Sequence, residues 1–239
     1  MIKTFFVFSF VIFALIILLP FGLIAMLLHF AGLKKPMVWF IYRLAQGWAL
    51  FTIKISGAPL TVTGKENIPK KSGVCFVSNH CGYLDIMLLL AYCSRPIGFI
   101  AKKELAFIPF LNCWIFLIGG LFIDRSSRKK ALQTINRGVE RIKNGGGMII
   151  FPEGHRSKGR GLLPFHPGSL KLATMAEAPI VPVAIEGSYN VFEKNKRVVS
   201  SPVKITFCEV IETANLPMED RKIVLCDRIY TVINNKLNS

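Results

Sequence analysis

A histidine and an aspartate five positions apart could form a catalytic base and the carboxylate that orients it. Residues 79–85 read NHCGYLD and contain His80 and Asp85 within one short polar turn. Imidazole titrates near neutral pH and can take a proton from a hydroxyl, and a carboxylate on its other ring nitrogen would fix the tautomer. Asp85 could instead only cap a helix that begins near residue 85. The segment alone leaves both interpretations open.

Two other side chains in this segment carry reactive groups. A Cys81 thiolate activated by His80 would give an acyl-enzyme, but adjacent side chains on an extended strand point in opposite directions. Free cysteine is also one of the most often buried residues. The hydroxyl of Ser78 could face the same way as His80, or it could bond to backbone. We therefore expect Cys81 to be a bystander.

Further polar side chains follow two later strand-like runs. Arg125 follows GGLFID, and Glu153, Gly154, Arg156 and Ser157 lie in FPEGHRS after GMIIF. Guanidinium groups bind phosphate oxygens bidentately, and glycines let backbone N–H groups approach an anion. A surface position on a basic protein is the common alternative for any single arginine. Because ligands bind at the carboxyl ends of strands in open α/β sheets, we expect these residues and the histidine turn to meet in one cleft.

The remaining polar groups are less specific. The run GFIA is followed by three charged residues, Lys102, Lys103 and Glu104. They form either a solvated loop or another phosphate contact, in which Lys102 would bind the phosphate. Among apolar strands, Glu153 would need an arginine or a substrate hydroxyl as its partner. The loop after GMIIF lacks the spacing of a nucleotide-binding P-loop. Four scattered histidines give no metal-ligand spacing, so we expect no metal.

Strand-like and helix-like runs alternate through most of the chain. The pattern of residues 127–147 is that of an amphipathic helix ended by glycines, and residues 219–236 repeat such a pattern. This alternation predicts a layered α/β domain. The predicted strands are residues 60–64, 73–79, 96–102, 119–124, 147–151, 179–185 and 203–210.

The N-terminal segment is apolar enough to enter a membrane. Residues 5–33 carry no formally charged side chain, and roughly 20 apolar residues are enough to span a bilayer. A proline and a glycine in its middle leave both a kinked span and a hairpin within one leaflet open. Residues 37–56 add tryptophan and tyrosine, which favour the membrane interface. We therefore predict membrane-anchoring helices over residues 1–56 and an α/β domain over residues 57–239.

The chain is both basic and apolar. Its 30 Lys and Arg residues against 14 Asp and Glu give a net charge of +16, and 52% of its residues are hydrophobic. This combination favours an anionic membrane over a nucleic acid as partner. The basic residues follow the apolar segment, which predicts the inner membrane with the main domain in the cytoplasm. Six cysteines without a C-x-x-C pair predict reduced, buried thiols.

Four blocks together resemble the glycerolipid acyltransferase family, in particular its bacterial 1-acyl-sn-glycerol-3-phosphate acyltransferases. The blocks occur in the family's order, and the resemblance covers about residues 60–210. It implies a central mixed sheet flanked by helices, preceded by an N-terminal hydrophobic helical membrane anchor. The blocks are NHCGYLD (79–85), GGLFIDR (119–125), FPEGHRS (151–157) and IVPVAI (180–185).

The resemblance also implies a reaction. An acyl chain would pass from acyl-CoA or acyl-carrier protein to the sn-2 hydroxyl of lysophosphatidic acid, which makes phosphatidic acid without a covalent acyl-enzyme or a cofactor. His80 would be the general base and Asp85 its orienter. Arg125 and the loop 153–157 would hold the glycerol phosphate of the acceptor.

Two positions depart from the family's pattern. His155 stands where a threonine is usual, and His166 with Pro167 stands where a lysine is expected. These departures leave another lysolipid open as the acceptor. A hydrolase that uses the same two residues on a thioester or lysolipid is a second interpretation. A third is a membrane-anchored module that binds anionic lipid without catalysis. The sequence gives no indication of the oligomeric state.

Overall fold

The computed structural model describes residues 1–70, 73–214, 216–217 and 219–238. Two long helices come first, and strands then alternate with helices. The helices are α1 (Ile2–Phe30), α2 (Lys34–Ser56), α3 (Leu84–Tyr92), α4 (Leu111–Leu117), α5 (Arg128–Lys143), α6 (Lys171–Ala176), α7 (Ser188–Val191) and α8 (Ile223–Leu237). The strands are β1 (Leu60–Thr63), β2 (Val74–Ser78), β3 (Ile97–Lys102), β4 (Leu121–Ile123), β5 (Gly147–Ile150), β6 (Ile180–Glu186) and β7 (Val203–Phe207).

The strands form one mixed sheet in the order β1-β7-β6-β2-β5-β3-β4. Only the β6–β7 pairing is antiparallel among these neighbours. The central strand β2 pairs with β5 and β6, so that Val77 lies opposite both Ile150 and Pro182. The predicted α/β fold with a mixed sheet is therefore confirmed. The five strands β2, β3, β4, β5 and β6 run parallel, so their carboxyl ends lie at the same edge of the sheet. The polar blocks of the sequence follow these strand ends.

Helices cover both faces of the sheet, which is why every residue of β2 is buried. Alternate side chains of the strand enter opposite cores. Val74 and Phe76 pack with α2 and α3, whereas Cys75 and Val77 pack with α6 and α8. All six cysteines are free thiols, and four of them are buried.

Helix α1 has 29 residues, and its most apolar stretch has a mean hydropathy of 3.0. Among the described residues it is the one helix that is long and apolar enough to cross a membrane. It continues through Pro20, and the chain reverses after Phe30 rather than within the apolar run. The alternative of a hairpin within residues 5–33 is therefore wrong, because that run is one continuous helix. Instead α1 packs against α2, and the ring centroids of Phe10 and Phe51 lie 4.6 Å apart. Most of the surface of α1 is exposed, including Phe13 at 63%.

Helix α2 packs on the α/β domain as well as on α1. Tyr42, Ala45, Ala49 and Ile53 on one side of α2 belong to the same buried core as Phe76. These residues recur at spacings of three and four, so they form one apolar stripe of the helix. The division at residue 56 stays a prediction, and α2 is the element that joins α1 to the sheet.

Candidate active site

His80 and Asp85 are in contact at the carboxyl end of β2. Their Nδ1 and Oδ2 atoms lie 2.7 Å apart, with the side chain of Asp85 fully buried and that of His80 17% exposed. An ionised carboxylate can only accept a hydrogen bond, so this contact places a proton on Nδ1, and in a neutral imidazole Nε2 then keeps its lone pair. The ring of Phe151 stacks on the imidazole at a centroid distance of 4.0 Å. The pair therefore has the geometry of an oriented base.

Asp85 organises the turn as well as the ring. Its Oδ2 also accepts hydrogen bonds from the backbone N–H groups of Cys81 at 2.7 Å and Gly82 at 2.9 Å. Both donors precede α3. Asp85 therefore does not only cap the helix, because its carboxylate also binds the backbone of the preceding turn. Gly82 leaves room for Glu193, because a Cβ there would lie 2.6 Å from Oε2 of Glu193 and would displace that carboxylate. The local sequence thus fixes His80 relative to Asp85.

Glu153 fixes the same turn from the neighbouring strand end. It follows β5, is 1% exposed, and accepts a hydrogen bond from the backbone N–H of His80 at 2.6 Å. Its other oxygen accepts from the N–H of Leu163 at 3.2 Å. The expected arginine or substrate partner is therefore replaced by two backbone donors. Burial raises the pKa of Glu153 to about 7, although these two donors favour the charged form.

The raised pKa of Glu153 predicts a loss of stability as the pH rises. Its usual pKa is 4.5, so the folded state binds the proton more tightly than the unfolded state. The resulting stabilisation is complete below about pH 4.5 and is lost as the pH rises to about 7, by on the order of 3 kcal/mol. The measurement is the unfolding free energy of the parent and of Glu153→Gln against pH. Parallel curves for the two proteins would contradict it.

Arg125 reaches the loop that follows β5. Its guanidinium donates to the carbonyl oxygen of Gly154 at 3.3 Å, and the side chain is exposed. Gly154 has a φ of +74°, and a Cβ there would lie 2.9 Å from Arg125 and 3.4 Å from the ring of His166. The side chains of Arg125 and His166 therefore both lie beside Gly154, which has no side chain to displace them.

Arg156 is held by a residue that the sequence did not single out. Its NH1 donates to Oε1 of Glu193 at 3.0 Å, and its guanidinium lies over the ring of Tyr83 at 3.8 Å. The same Glu193 oxygen accepts from the N–H of Tyr83 at 2.9 Å. In the described part of the chain, the other N–H groups of Arg156 have no partner, so they are free to bind a ligand.

Of the remaining candidate residues, one lines the cavity and the others stabilise the surrounding loops. Lys102 is exposed and lines the same cavity as His80, whereas Lys103 pairs with Asp124 at 3.0 Å. The buried Ser157 donates its backbone N–H to the carbonyl of His80 at 2.7 Å. Burial raises the pKa of the Cys81 thiol to about 12, which makes it a poor nucleophile.

One cavity of about 1350 Å³ is lined by His80, Lys102, Arg125, Gly154 and Arg156, whereas Asp85, Glu153 and Ser157 lie behind its lining. Its polar lining comes from the strand-end loops, and its apolar lining comes largely from α1, α2, α4 and the segment before α4. A ligand with a charged head and an apolar chain would match both parts. Representative lining residues are His80, Arg125, Arg156, Phe8, Leu15 and Ile108. Within the described ranges, no group of three or more His, Cys, Asp or Glu side chains could hold a metal ion.

Sequence reasoning missed three supporting residues. Glu193 contacts Tyr83 and Arg156, 110 and 37 positions away, and no local pattern marks it. Phe151 lies in a block that the sequence analysis named, but its stacking on His80 depends on the packed fold. Asn79 had a detectable signal, since it is a polar residue at the end of a buried strand. Its amide bonds both the N–H and the carbonyl of Ile185, which ties β2 to β6 beside the histidine.

The family described as Acyltransferase matches residues 59–186, which is more than half of the chain. The chain therefore belongs to the acyltransferase family. The matched range contains His80, Asp85, Arg125, Glu153 and Arg156, and it ends before Glu193.

Among curated proteins, the chain is similar to 1-acyl-sn-glycerol-3-phosphate acyltransferases. It is 34% identical to that of Borreliella burgdorferi over 141 residues, which cover 59% of this chain and 56% of the relative. It is 37% identical to that of Saccharomyces cerevisiae over 153 residues, which cover 60% of this chain and 50% of the relative. The chain thus spans about half the length of these relatives.

The fold is similar to a solved structure over nearly its whole length. The crystal structure of the 1-acyl-sn-glycerophosphate acyltransferase from Thermotoga maritima matches with a TM-score of 0.82 and 24% identity. The match covers 99% of this chain and 95% of that chain. The predicted fold, including the N-terminal helices, is therefore found in a known acyltransferase structure.

Proposed function

We propose that the chain transfers an acyl group from a thioester to the sn-2 hydroxyl of 1-acyl-sn-glycerol 3-phosphate and so makes phosphatidic acid. The observation that carries the proposal is the 2.7 Å contact between His80 and Asp85 in a cavity with both basic and apolar lining. The names of the similar curated proteins support the same acceptor.

In the proposed mechanism His80 is the general base. Its Nε2 takes the proton of the acceptor hydroxyl as the oxygen attacks the thioester carbonyl carbon. Asp85 stabilises the imidazolium that forms. The carbon–sulfur bond then breaks, and the thiolate takes the proton from His80, which leaves an ester and a free thiol. No acyl-enzyme and no cofactor take part.

The basic part of the cavity would bind the acceptor's phosphate. Arg125 and Arg156 present guanidinium groups to it, and Lys102 adds a further charge. Gly154 keeps the loop backbone open, while Glu153 and Ser157 act through their bonds to the backbone of His80. The apolar lining would take an acyl chain.

The donor and the location belong to the same proposal. The donor is acyl-CoA or acyl-carrier protein, both of which carry the required thioester and are negatively charged. The net charge of +16 would attract them as well as anionic lipid. The chain would lie at the inner membrane, with α1 in the bilayer, α2 between α1 and the sheet, and the α/β domain in the cytoplasm.

Replacing Arg156 with lysine tests the phosphate site. Lysine keeps the charge but loses the fork of donors and the stacking on Tyr83, and a charge-assisted hydrogen bond contributes about 1.5–3 kcal/mol. We therefore expect the KM for lysophosphatidic acid to rise about ten-fold or more, with the KM for the donor unchanged. Arg137→Lys on the exposed side of α5 is the control. Equal shifts in both KM values would argue against phosphate binding by Arg156.

The deciding experiment for the function is an acceptor panel. Purified protein would receive labelled acyl-CoA or labelled acyl-carrier protein with lysophosphatidic acid, lysophosphatidylglycerol, monoacylglycerol or no acceptor. We expect labelled phosphatidic acid as the main product. Free fatty acid formed without an acceptor would favour a hydrolase, and no turnover with any acceptor and either donor would favour a lipid-binding module.

A further inference from the structure

Exposed apolar side chains concentrate in one segment outside the two N-terminal helices. We call residues 105–116 the apolar tip. Phe107 is 83% exposed, Phe116 59%, Ile108 44% and Phe110 43%. Four of the nine large apolar side chains exposed on the described part of the chain after residue 56 therefore lie within ten positions. The nine are Tyr83, Phe107, Ile108, Phe110, Phe116, Leu132, Met175, Ile223 and Val224.

The apolar tip is a defined structure that holds these side chains outward. The amide of Asn112 donates to the carbonyl of Ala106 at 2.9 Å, and the backbone N–H of Asn112 donates to the carbonyl of Ile108 at 3.0 Å. Phe110 adopts a φ of +62°, which is unfavourable for an aromatic residue. Such strain persists only where surrounding contacts impose it. The exposure of the tip is therefore built into the fold.

The apolar tip is continuous with the exposed surface of α1. Helix α4 forms the second half of the tip and lies directly on α1. The indole N–H of Trp114 donates to the carbonyl of Leu15 at 2.8 Å. The packing is close further along α1, because a Cβ at Gly22 would lie 2.7 Å from the side chain of Leu117. Buried residues of α4 thus face α1, while Phe116 of the same helix points away from the protein.

We propose that the apolar tip inserts into an anionic lipid bilayer beside α1 and forms a second membrane contact. Soluble monomers rarely expose clustered apolar groups, so such a patch marks an interaction surface. A bilayer fits this one because the patch adjoins a helix that is itself apolar enough to span a membrane. The net charge of +16 favours a bilayer with anionic headgroups.

The second contact would fix the orientation of the α/β domain. A single helix leaves the domain free to rotate about the helix axis, whereas two contacts remove that freedom. Phe8 and Ile12 of α1 and Ile108 and Phe110 of the tip line the cavity that contains His80. Insertion of both elements would hold this cavity against the lipid.

Tryptophan quenching by brominated lipid tests the insertion without depending on activity. Phe107→Trp and Phe116→Trp would each be placed in vesicles of anionic phospholipid with bromine at shallow or deep acyl positions. We expect a blue-shifted emission and extra quenching relative to the parent. The quenching should be strongest with shallow bromines, since interfacial segments enter about 5–10 Å. Ile223→Trp, at a position 60% exposed on the opposite face of the sheet, should show neither change.

The outcomes separate a bilayer from the other occupants. Equal quenching of Phe107→Trp and Ile223→Trp would overturn the proposal. A blue shift that depends on protein concentration and resists brominated lipid would also overturn it, in favour of a second copy of the chain. Because both tip positions are exposed, thermal unfolding within a degree or so of the parent is expected and shows that the variants are folded.

Discussion

The His80→Ala variant is expected to lose acyl transfer while it remains folded and bound to the membrane. Removing a general base lowers the rate by about 10²–10⁴-fold, because the acceptor hydroxyl then has no group to take its proton. The imidazole is 17% exposed, and among the described residues its one side-chain hydrogen bond is to Asp85. Oδ2 of Asp85 keeps two backbone N–H donors when the ring is removed, and the backbone bonds of His80 to Glu153 and Ser157 do not need the ring, so we expect the fold to persist. The measurement is kcat for phosphatidic acid formation, with sedimentation on vesicles as the control for membrane binding.

Asp85→Asn gives an independent test of the same pair. The amide keeps the size of the carboxylate but lacks its charge, so it cannot stabilise the imidazolium that forms. Oδ2 also holds the turn through two backbone N–H groups, so the geometry of the variant must be checked by its thermal unfolding. We expect kcat to fall with little change in the KM of either substrate. A variant with a normal kcat would remove Asp85 from the mechanism.

Glu153→Ala is expected to have the largest effect on stability. The backbone N–H groups of His80 and Leu163, which donate to Glu153, would lose their acceptor in a part-buried site. A fully buried donor without a partner costs about 1–3 kcal/mol, so for these two part-buried donors together the unfolding free energy should fall by roughly 1–3 kcal/mol. Activity should fall with it, because the N–H of His80 no longer fixes the turn to the end of β5.

A matched control separates this effect from the loss of a negative charge. Glu209 is exposed after β7, and Glu209→Ala removes the same side chain from the surface. We expect that control to change the unfolding free energy by no more than about 0.5 kcal/mol. Similar unfolding midpoints for Glu153→Ala and Glu209→Ala would show that Glu153 does not hold the turn.

The sheet could be predicted from the sequence because its strands are buried on both faces. Continuous apolar runs such as residues 73–79 and 179–185 stand out against the polar turns around them. Strand β2 lies within the first run, and β6 begins in the second and ends one residue after it. The resemblance to a known family added the mixed topology. The path of α1 could not be predicted in the same way. Pro20 suggested a kink or a hairpin, but the helix continues through it and the chain reverses only after Phe30.

The polar blocks of the site could also be predicted, because their residues follow neighbouring parallel strands. Such strand ends meet at one edge, and the structure brings His80, Arg125 and Glu153 together there. Their catalytic and binding roles stay predictions. The contacts of Glu193 could not be predicted, because it lies 110 positions from Tyr83 and no periodic pattern links the two. Long-range contacts of single polar residues depend on the packed fold, which short sequence motifs do not describe.

The most direct test of the central claim is the rate of phosphatidic acid formation from acyl-CoA and lysophosphatidic acid in anionic vesicles. The parent, His80→Ala and His29→Ala would be compared at equal amounts of membrane-bound protein. His29 lies at the end of α1, so its variant removes an imidazole away from the cavity. The account predicts product from the parent and His29→Ala, and a rate lower by about 10²–10⁴-fold for His80→Ala. A His80→Ala rate equal to that of the parent would contradict it.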